Sequence, residues 1–421
     1  MKVLVVGGGG REHAICWKLK QSARVTELYC APGNAGIANV AICVPIRATA
    51  IEEITDFARR EKFDLVFVAP DDPLALGLVD RLEEAGIRAY GPRANAAIIE
   101  ASKAFSKDLM RRYDIPTARY DVFTDTDAAL EYIDREPVPI VVKADGLALG
   151  KGVIIAETRE DAKDAVRSMM LNKAFGTAGN TVVIEECMKG PELTVLAFSD
   201  GKTVLPMVSS RDHKRALDRD RGKNTGGMGA VTPGADLTAE EEKVMYDRIF
   251  LPTIQALAQE GRPFVGVIYF GLMLTETGPK VIEYNARFGD PEAQAVLPRL
   301  ENDLVDIIDA CLEGTLQQIK LSFKPGASCC VVMASGGYPE TYETGFPIEG
   351  LDQVDEIVFH AGTKFVDGNI VTSGGRVLSV YADADDLETA IDKAYEGVAK
   401  ISFNQMHYRK DIGRTLSGGV H

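Results

Sequence analysis

The densest run of reactive side chains in the sequence is Glu283-Tyr284-Asn285-Ala286-Arg287-Phe288-Gly289-Asp290-Pro291-Glu292. It follows the apolar pair Val281-Ile282 and so reads as a strand running out of a core. Alternate residues of a strand share a face, which points Glu283 and Asn285 the same way. A carboxylate and an amide oxygen are hard ligands of the kind Mg²⁺ takes, the ion keeping water and substrate phosphates in its other positions. Arg287 joins that face if the strand continues, setting a fixed cation beside a transferring phosphoryl group. A merely solvated strand end would not need so many polar groups beside a buried pair.

Two glycine-rich runs suit phosphate. Lys143-Ala144-Asp145-Gly146-Leu147-Ala148-Leu149-Gly150-Lys151-Gly152 is one residue short of a Walker loop before Gly150-Lys151, and Gly152 takes the Ser/Thr position. Its flanks read as two strands, so it predicts a hairpin whose glycine amides lie over ATP phosphates, with Lys143 neutralising their oxygens. Gly7-Gly8-Gly9-Gly10-Arg11-Glu12-His13 is a turn between a strand and a helix, where backbone N–H groups and the helix dipole attract an anion. A dinucleotide fingerprint would want a third glycine where Glu12 stands and an acid in place of Cys30-Ala31-Pro32, so a nicotinamide dehydrogenase is disfavoured. Glu185-Glu186-Cys187-Met188 and Glu192 could border an adenine edge and a ribose; alone, paired glutamates at a strand end are usually solvated. Arg211-Asp212-His213-Lys214-Arg215 with Asn224-Thr225-Gly226-Gly227-Met228-Gly229 suits a small anionic substrate under a lid, or simply a solvated basic loop.

These groups need a scaffold larger than one core. At 421 residues the chain is expected to hold about three domains. Val3–Val6, Glu27–Cys30 and Leu65–Ala69 read as short buried strands between helices at 11–20 and 51–61, which predicts a parallel sheet. Asp72-Pro73 opens a further helix ending at Gly86. Strands are predicted at 137–156, 181–184, 194–208, 264–275 and 279–284, with a helix at 238–259. The stretch 211–234 reads as polar and glycine-rich, a helix ends near Gly314, and the tail returns to strands before a helix at 386–399.

Composition narrows the partners. A net charge of −15 repels phosphate backbones, so nucleic acid is not expected as a partner. The seven cysteines form no Cys-x-x-Cys pair and several sit in apolar runs, which fits free thiols in a reducing compartment. The N-terminal run lacks the features of a signal peptide and no stretch reaches the length of a membrane span; a cytoplasmic location is expected.

Together these runs resemble the ATP-grasp ligases, and within them the phosphoribosylamine–glycine ligase family. The resemblance rests on Gly9-Gly10-Arg11-Glu12-His13, Pro32-Gly33-Asn34-Ala35-Gly36, Lys143–Ala148, Asp212-His213-Lys214-Arg215, Asn224–Gly229 and Arg287–Glu292, in the family's order along essentially the whole chain. It implies an α/β fold, α+β in the centre. An N-terminal parallel-sheet domain (1–100) would precede an ATP-grasp domain (101–318, with a mobile glycine-loop subdomain at about 117–190), followed by a small β-rich domain (319–421). It implies the reaction of ATP, glycine and 5-phosphoribosylamine to glycinamide ribonucleotide, ADP and phosphate, in a monomer using Mg²⁺ or Mn²⁺. By matching position, Lys103, Lys143, Gly146, Gly150, Lys151 and Gly152 would contact ATP. Glu185, Glu186 and Met188 would border adenine, and Glu192 would hold ribose. Glu283 and Asn285 would bind metal; Arg287, Asp212 and Lys214 would surround glycine, with Gly226, Gly227 and Met228 in the substrate loop. Gly10, Arg11, Glu12 and Asn34 would cradle phosphoribosylamine, helped by Gly374, Gly375 and Arg376. Asp71 stands where many relatives carry Glu, Lys223 replaces a common proline, and Gly271-Leu272-Met273 lacks a metal-binding acid present in many other ATP-grasp enzymes. Another ATP-grasp ligase or carboxylase would lack the Gly-Gly-Arg-Glu-His run, and a non-catalytic nucleotide-binding regulator would be expected to lose Glu283, Asn285 or Arg287.

Overall fold

A computed structural model describes residues 1–146, 152–172, 174, 176 and 178–414, with the backbone of 177. The N-terminal segment forms a five-stranded parallel sheet in the order β3-β2-β1-β4-β5. Its strands are β1 (Lys2–Gly7), β2 (Glu27–Pro32), β3 (Ile42–Cys43), β4 (Leu65–Val68) and β5 (Ala89–Tyr90), interleaved with α1 (Gly10–Leu19), α2 (Ile51–Glu61), α3 (Asp71–Ala75) and α4 (Leu78–Glu84). Both faces are covered, Leu4 and Val6 lying in one core and Val3 and Val5 in another. That is why β1 reads as a continuous apolar run with no alternation. The helix expected from Asp72 to Gly86 is instead two. Gly77, at φ 83°, breaks it, and Pro70 precedes its first residue.

Helices α5 (Ala94–Ala101) and α6 (Lys103–Arg112) lead to an antiparallel sheet ordered β6-β9-β7-β8. It comprises β6 (Tyr120–Phe123), β7 (Ile140–Ala144), β8 (Val153–Ala156) and β9 (Val182–Glu186), backed by α7 (Thr126–Arg135) and α8 (Arg159–Met170). A second antiparallel sheet, β11-β10-β16-β17, faces it across a cavity. Its strands are β10 (Glu192–Asp200), β11 (Val204–Pro206), β16 (Val265–Thr275) and β17 (Gly278–Asn285).

The polar stretch 211–232 is not a plain loop. It holds β12 (Arg211–Asp212), a hairpin of β13 (Arg215–Leu217) and β14 (Arg221–Asn224), and β15 (Gly229–Thr232). Strands β12 and β15 join a sheet whose other members come from the C-terminal segment, in the order β12-β15-β18-β22-β19. After α9 (Ala239–Met245), one π-helical turn carries the chain into α10 (Leu251–Gln259). Pro252, which offers no N–H to a regular ladder, sits just beyond that turn. Then come α11 (Glu292–Val296), α12 (Leu304–Glu313), β18 (Ala327–Ser335), β19 (Ile357–His360), the hairpin β20 (Thr363–Val366) and β21 (Asn369–Thr372), β22 (Arg376–Ala384), α13 (Leu387–Lys400) and β23 (Met406–His407), which pairs with β18. No helix among the described residues is long and apolar enough to cross a membrane.

Candidate active site

The two central sheets and the C-terminal segment enclose a cavity of about 1070 Å³. Of the residues given a binding or catalytic role by the resemblance, sixteen line it: Arg11, Lys103, Lys143, Gly146, Gly152, Glu185, Glu186, Met188, Glu192, Asp212, Lys214, Gly226, Glu283, Asn285, Arg287 and Arg376. Gly10, Glu12, Asn34, Gly227, Met228, Gly374 and Gly375 are not among the lining residues. Gly150 and Lys151 lie outside the described residues.

At one end, Lys103 and Lys107 stand one turn apart on α6, hence on one face. The Ser102 hydroxyl caps this helix by accepting from Phe105 N at 3.0 Å, and Asp145 Oδ1 accepts from Ala104 N at 3.0 Å. Lys103 Nζ donates to Gly146 O at 2.9 Å, so the root of the glycine loop is tied to the helix that faces it. Lys107 and Lys143 both pair with Glu185 Oε2, at 3.1 and 3.0 Å. Burial raises the Glu185 carboxyl, but Lys143 and Lys107 outweigh it and hold the group below the ordinary carboxylate range. Burial pushes Lys107 down to about 8.

In the middle, Glu283 and Asn285 leave β17 on the cavity side. Glu283 lies opposite Gly271 of β16, and a Cβ there would meet Glu283 Cγ at 3.2 Å. Gly271, in the stretch of β16 that offers no acid, thus leaves room for the Glu283 side chain. Burial raises Glu283, but Lys214, Lys143, Lys103 and Arg287 overcome it and hold the group at about 2. It is a committed anion, as a metal ligand must be. Among the described residues there is no cluster of three His, Cys, Asp or Glu suited to a metal. Glu283 and Asn285 thus supply two hard oxygen donors, which fits an ion that takes its other ligands from phosphate and water.

Strand β17 stops at Asn285, so Arg287 does not reach this face by strand alternation. It is held instead by an element the sequence reading passed over. Glu100, half-buried on α5 with its side chain 7% exposed, pairs with Arg287 Nη2 at 2.8 Å and accepts from Ala286 N at 2.7 Å. Arg287 Nη2 also donates to Asn285 Oδ1 at 3.2 Å, while its buried Nε has no partner among the described residues.

At the far end lie Asp212, Lys214, Glu292 and Tyr269. Burial, then repulsion from Glu292, pushes the Asp212 carboxyl well up; burial also raises Glu292. Lys214 lies 3.4 Å from Glu192 and 3.5 Å from Glu283, and these carboxylates raise it despite burial. Arg376 stitches three segments together, donating from Nη1 to Gly226 O and Asp290 O, each at 2.6 Å. Asp290 Oδ2 in turn accepts from Arg11 N at 3.2 Å, at the start of α1.

The residues absent from the cavity wall have other work. Both Glu12 oxygens are engaged, Oε2 by Gly9 N and Oε1 by Arg11 Nε, each at 2.6 Å. Asn34 donates to Gly8 O and His360 O and accepts from Gly36 N and Ile37 N. Met228 is buried in the C-terminal core. Gly227, at φ 114°, lets its loop approach Asp212, and Gly375 makes room for Tyr338, whose hydroxyl accepts from Gly226 N at 3.0 Å.

A strap from the C-terminal segment secures the Asp212–Lys214 turn from behind. Arg409, 1% exposed, forks onto Asp411 at 2.8 and 2.9 Å and reaches Asp220 at 2.7 Å. Asp411 accepts from Arg219 N, and Gly413 N donates to His213 Nε2 at 3.1 Å. His213 Nδ1 is then the protonated nitrogen, facing Gly229 O at 3.2 Å.

Three family models match successive segments of the chain. The N, ATP-grasp (A) and C domain models of phosphoribosylglycinamide synthetase match residues 1–100, 101–293 and 328–415. A phosphoribosylamine–glycine ligase of Halalkalibacterium halodurans is 50% identical over 415 residues, covering 98% of this chain and 96% of that one. One from Caldanaerobacter subterraneus is 48% identical over 413 residues, covering 98% and 99%. The crystal structure of phosphoribosylamine–glycine ligase from Thermotoga maritima superposes with a TM-score of 0.88 at 31% identity, over 98% of this chain and all of that one. The biotin carboxylase domain of Hydrogenobacter thermophilus 2-oxoglutarate carboxylase shares the fold alone, with a TM-score of 0.71 at 17% identity over 97% of this chain and 91% of that one.

Proposed function

The chain belongs to the phosphoribosylglycinamide synthetase family of ATP-grasp ligases, and from that premise we propose how its residues divide the reaction. The protein joins glycine to 5-phosphoribosylamine in purine biosynthesis, converting ATP to ADP and phosphate. The glycine carboxylate attacks the γ-phosphate of ATP to give glycyl phosphate. The amine of phosphoribosylamine then attacks the acyl carbon, and phosphate leaves. Neither step needs a covalent bond to the protein; positioning and charge neutralisation carry both.

One observation carries the assignment of roles: a single cavity joins the Lys103–Lys143–Glu185 end to the Asp212–Lys214–Arg376 end past Glu283 and Asn285. ATP enters at the first end, adenine along Glu185–Met188, ribose toward Glu192, and phosphates by Lys103, Lys143, Gly146 and Gly152. Mg²⁺ or Mn²⁺, held by Glu283 and Asn285, would draw off charge from the phosphate oxygens. The Nε of Arg287, without a partner among the described residues, is a donor for the developing acyl phosphate. Asp212 and Glu292, both pushed up by burial, are relieved by a cation; the ammonium of glycine supplies one. Phosphoribosylamine enters by Arg11 and the start of α1, across from Arg376. Glu12 and Asn34 shape that wall through the backbone they hold. The protein acts as a cytoplasmic monomer.

The test is release of phosphate from ATP with glycine and phosphoribosylamine, the unstable amine being generated in the assay. Turnover is expected only when both are present. ATP hydrolysis that needs neither, or free replacement of phosphoribosylamine by other amines, would refute the assignment.

A further inference from the structure

Lys107 belongs to no motif, yet it is 2% exposed and charged groups surround it. Its ammonium pairs with Glu185 Oε2 at 3.1 Å and donates to Thr117 Oγ1 at 2.7 Å. The Thr117 hydroxyl in turn donates to Val281 O at 2.7 Å, on the strand that carries Glu283. Lys143 shares the same Glu185 oxygen at 3.0 Å. The other oxygen, Glu185 Oε1, is buried, has no hydrogen-bond partner among the described residues, and belongs to a side chain lining the cavity. A buried acceptor left open is costly unless a ligand donor completes it.

We propose that Lys107 is a positioning residue for nucleotide selection. By occupying Glu185 Oε2 it turns Oε1 toward the base and leaves Lys143 free to serve phosphate. Two ammonium groups on one oxygen give the cluster a net charge of +1, so Lys143 is not neutralised by Glu185 alone. Without Lys107, Glu185 and Lys143 would form a closed pair, and the carboxylate could rotate both oxygens toward it. The open Oε1 is an acceptor only, matched to the 6-amino group of adenine and opposed to the 6-carbonyl of guanine. Thr117 makes the arrangement rigid by tying Lys107 to the metal-bearing strand. The inference rests on the proposed seating of ATP at this end of the cavity.

The experiment measures binding of ADP and of GDP by calorimetry, and KM against kcat for ATP, in the wild type, Lys107→Met and Thr117→Val. Lys107→Met is expected to weaken ADP about tenfold or more, the loss of an oriented charge-assisted bond, while GDP changes little, so the preference narrows. The KM for ATP should rise by a similar factor and the KM for glycine should not. Thr117→Val, which keeps every charge, should weaken ADP by about two- to fivefold as a neutral hydrogen bond is lost. It carries the test by itself if Lys107→Met does not fold. A lower melting temperature with an unchanged ADP-to-GDP preference in either folded variant would overturn the inference, since a packing role predicts that result. Wild-type protein that turns over ATP only with glycine and phosphoribosylamine, combined with unchanged selectivity in the variants, would remove this inference and leave the function standing. Absence of ADP binding in the wild type would remove both.

Discussion

Changing His13 to asparagine while lowering the pH from 7 to 5 probes how the N-terminal wall of the site is fixed. His13 is buried on α1, and its Nδ1 accepts from the backbone N of His360 on β19 at 2.8 Å. The ring is therefore neutral with its proton on Nε2, and a second proton would have to displace that amide. Burial, helped by the nearby His360 ring, lowers His13 from 6.5 to about 3. The folded pKa lies below the unfolded one, so the stability tied to this group is complete above pH 6.5 and drains as the pH falls toward 3. At pH 5 the unfolded imidazole is almost wholly protonated and the folded one is not, which costs the native state about 2 kcal/mol relative to pH 7. Asparagine places Oδ1 where Nδ1 stood and does not titrate. In paired urea unfolding series, the gap between wild type and His13→Asn in the first transition should shift against the wild type by about 2 kcal/mol between pH 7 and pH 5. Taking the difference cancels Asp212 and Glu292, whose raised pKa values act in the opposite direction. Parallel losses in the two proteins would refute the reasoning.

Glu283→Gln should lower Mg²⁺-dependent turnover by about a thousandfold while the melting temperature holds, since it replaces an anionic oxygen by a neutral one at the phosphates; near-normal kcat would take the metal away from Glu283. Glu100→Gln keeps an acceptor for Ala286 N but not the ion pair with Arg287, and steady-state kinetics should show kcat falling about ten- to a hundredfold with KM for ATP little changed. An unaltered kcat would mean that Arg287 needs no such partner. In Gly8→Ala the new Cβ would stand 2.7 Å from Gly33 O, backbone against backbone. Thermal melts should show about 1–3 kcal/mol of destabilisation, and KM for phosphoribosylamine should rise; wild-type values would place that wall elsewhere.

Local periodicity made much of the scaffold readable. The helix Ile51–Glu61, the buried strand within Lys2–Gly7 and the helix closed by Gly314 at φ 68° follow from patterns a few residues long. The 211–232 stretch defeated that reading because its strands are two to four residues long and their partners can lie far away: Gly229–Thr232 pairs with Ser328–Val331. Among site residues, Glu283 and Asn285 were legible because two residues of strand alternation suffice to align them. Arg287 was placed by assuming one more step of strand, and the chain turns before taking it. Glu100 and Lys107 left no motif, since an acid or a lysine on a helix usually faces water. Their one signal is that each falls within an inward stripe, Lys107 between Ser106 and Leu109–Met110. Glu12 and Asn34 show the reverse: residue type and position suggest a ligand, and the side chains spend polar atoms on the protein itself, Glu12 on its own turn and Asn34 on its own loop, Gly8 O and His360 O.

The strap formed by Arg409, Asp411 and Gly413 also sets an order of events during synthesis. Its partners Asp220, Arg219 and His213 precede it by 189 to 200 residues. The ribosome therefore delivers Lys103, Lys143 and strand β17 long before the turn carrying Asp212 and Lys214 can be fastened. Closing so long a loop is slow in its own right. A nascent chain can form the sheets around the cavity early, but the turn carrying Asp212 and Lys214 stays unfastened until residues about two hundred positions downstream have emerged.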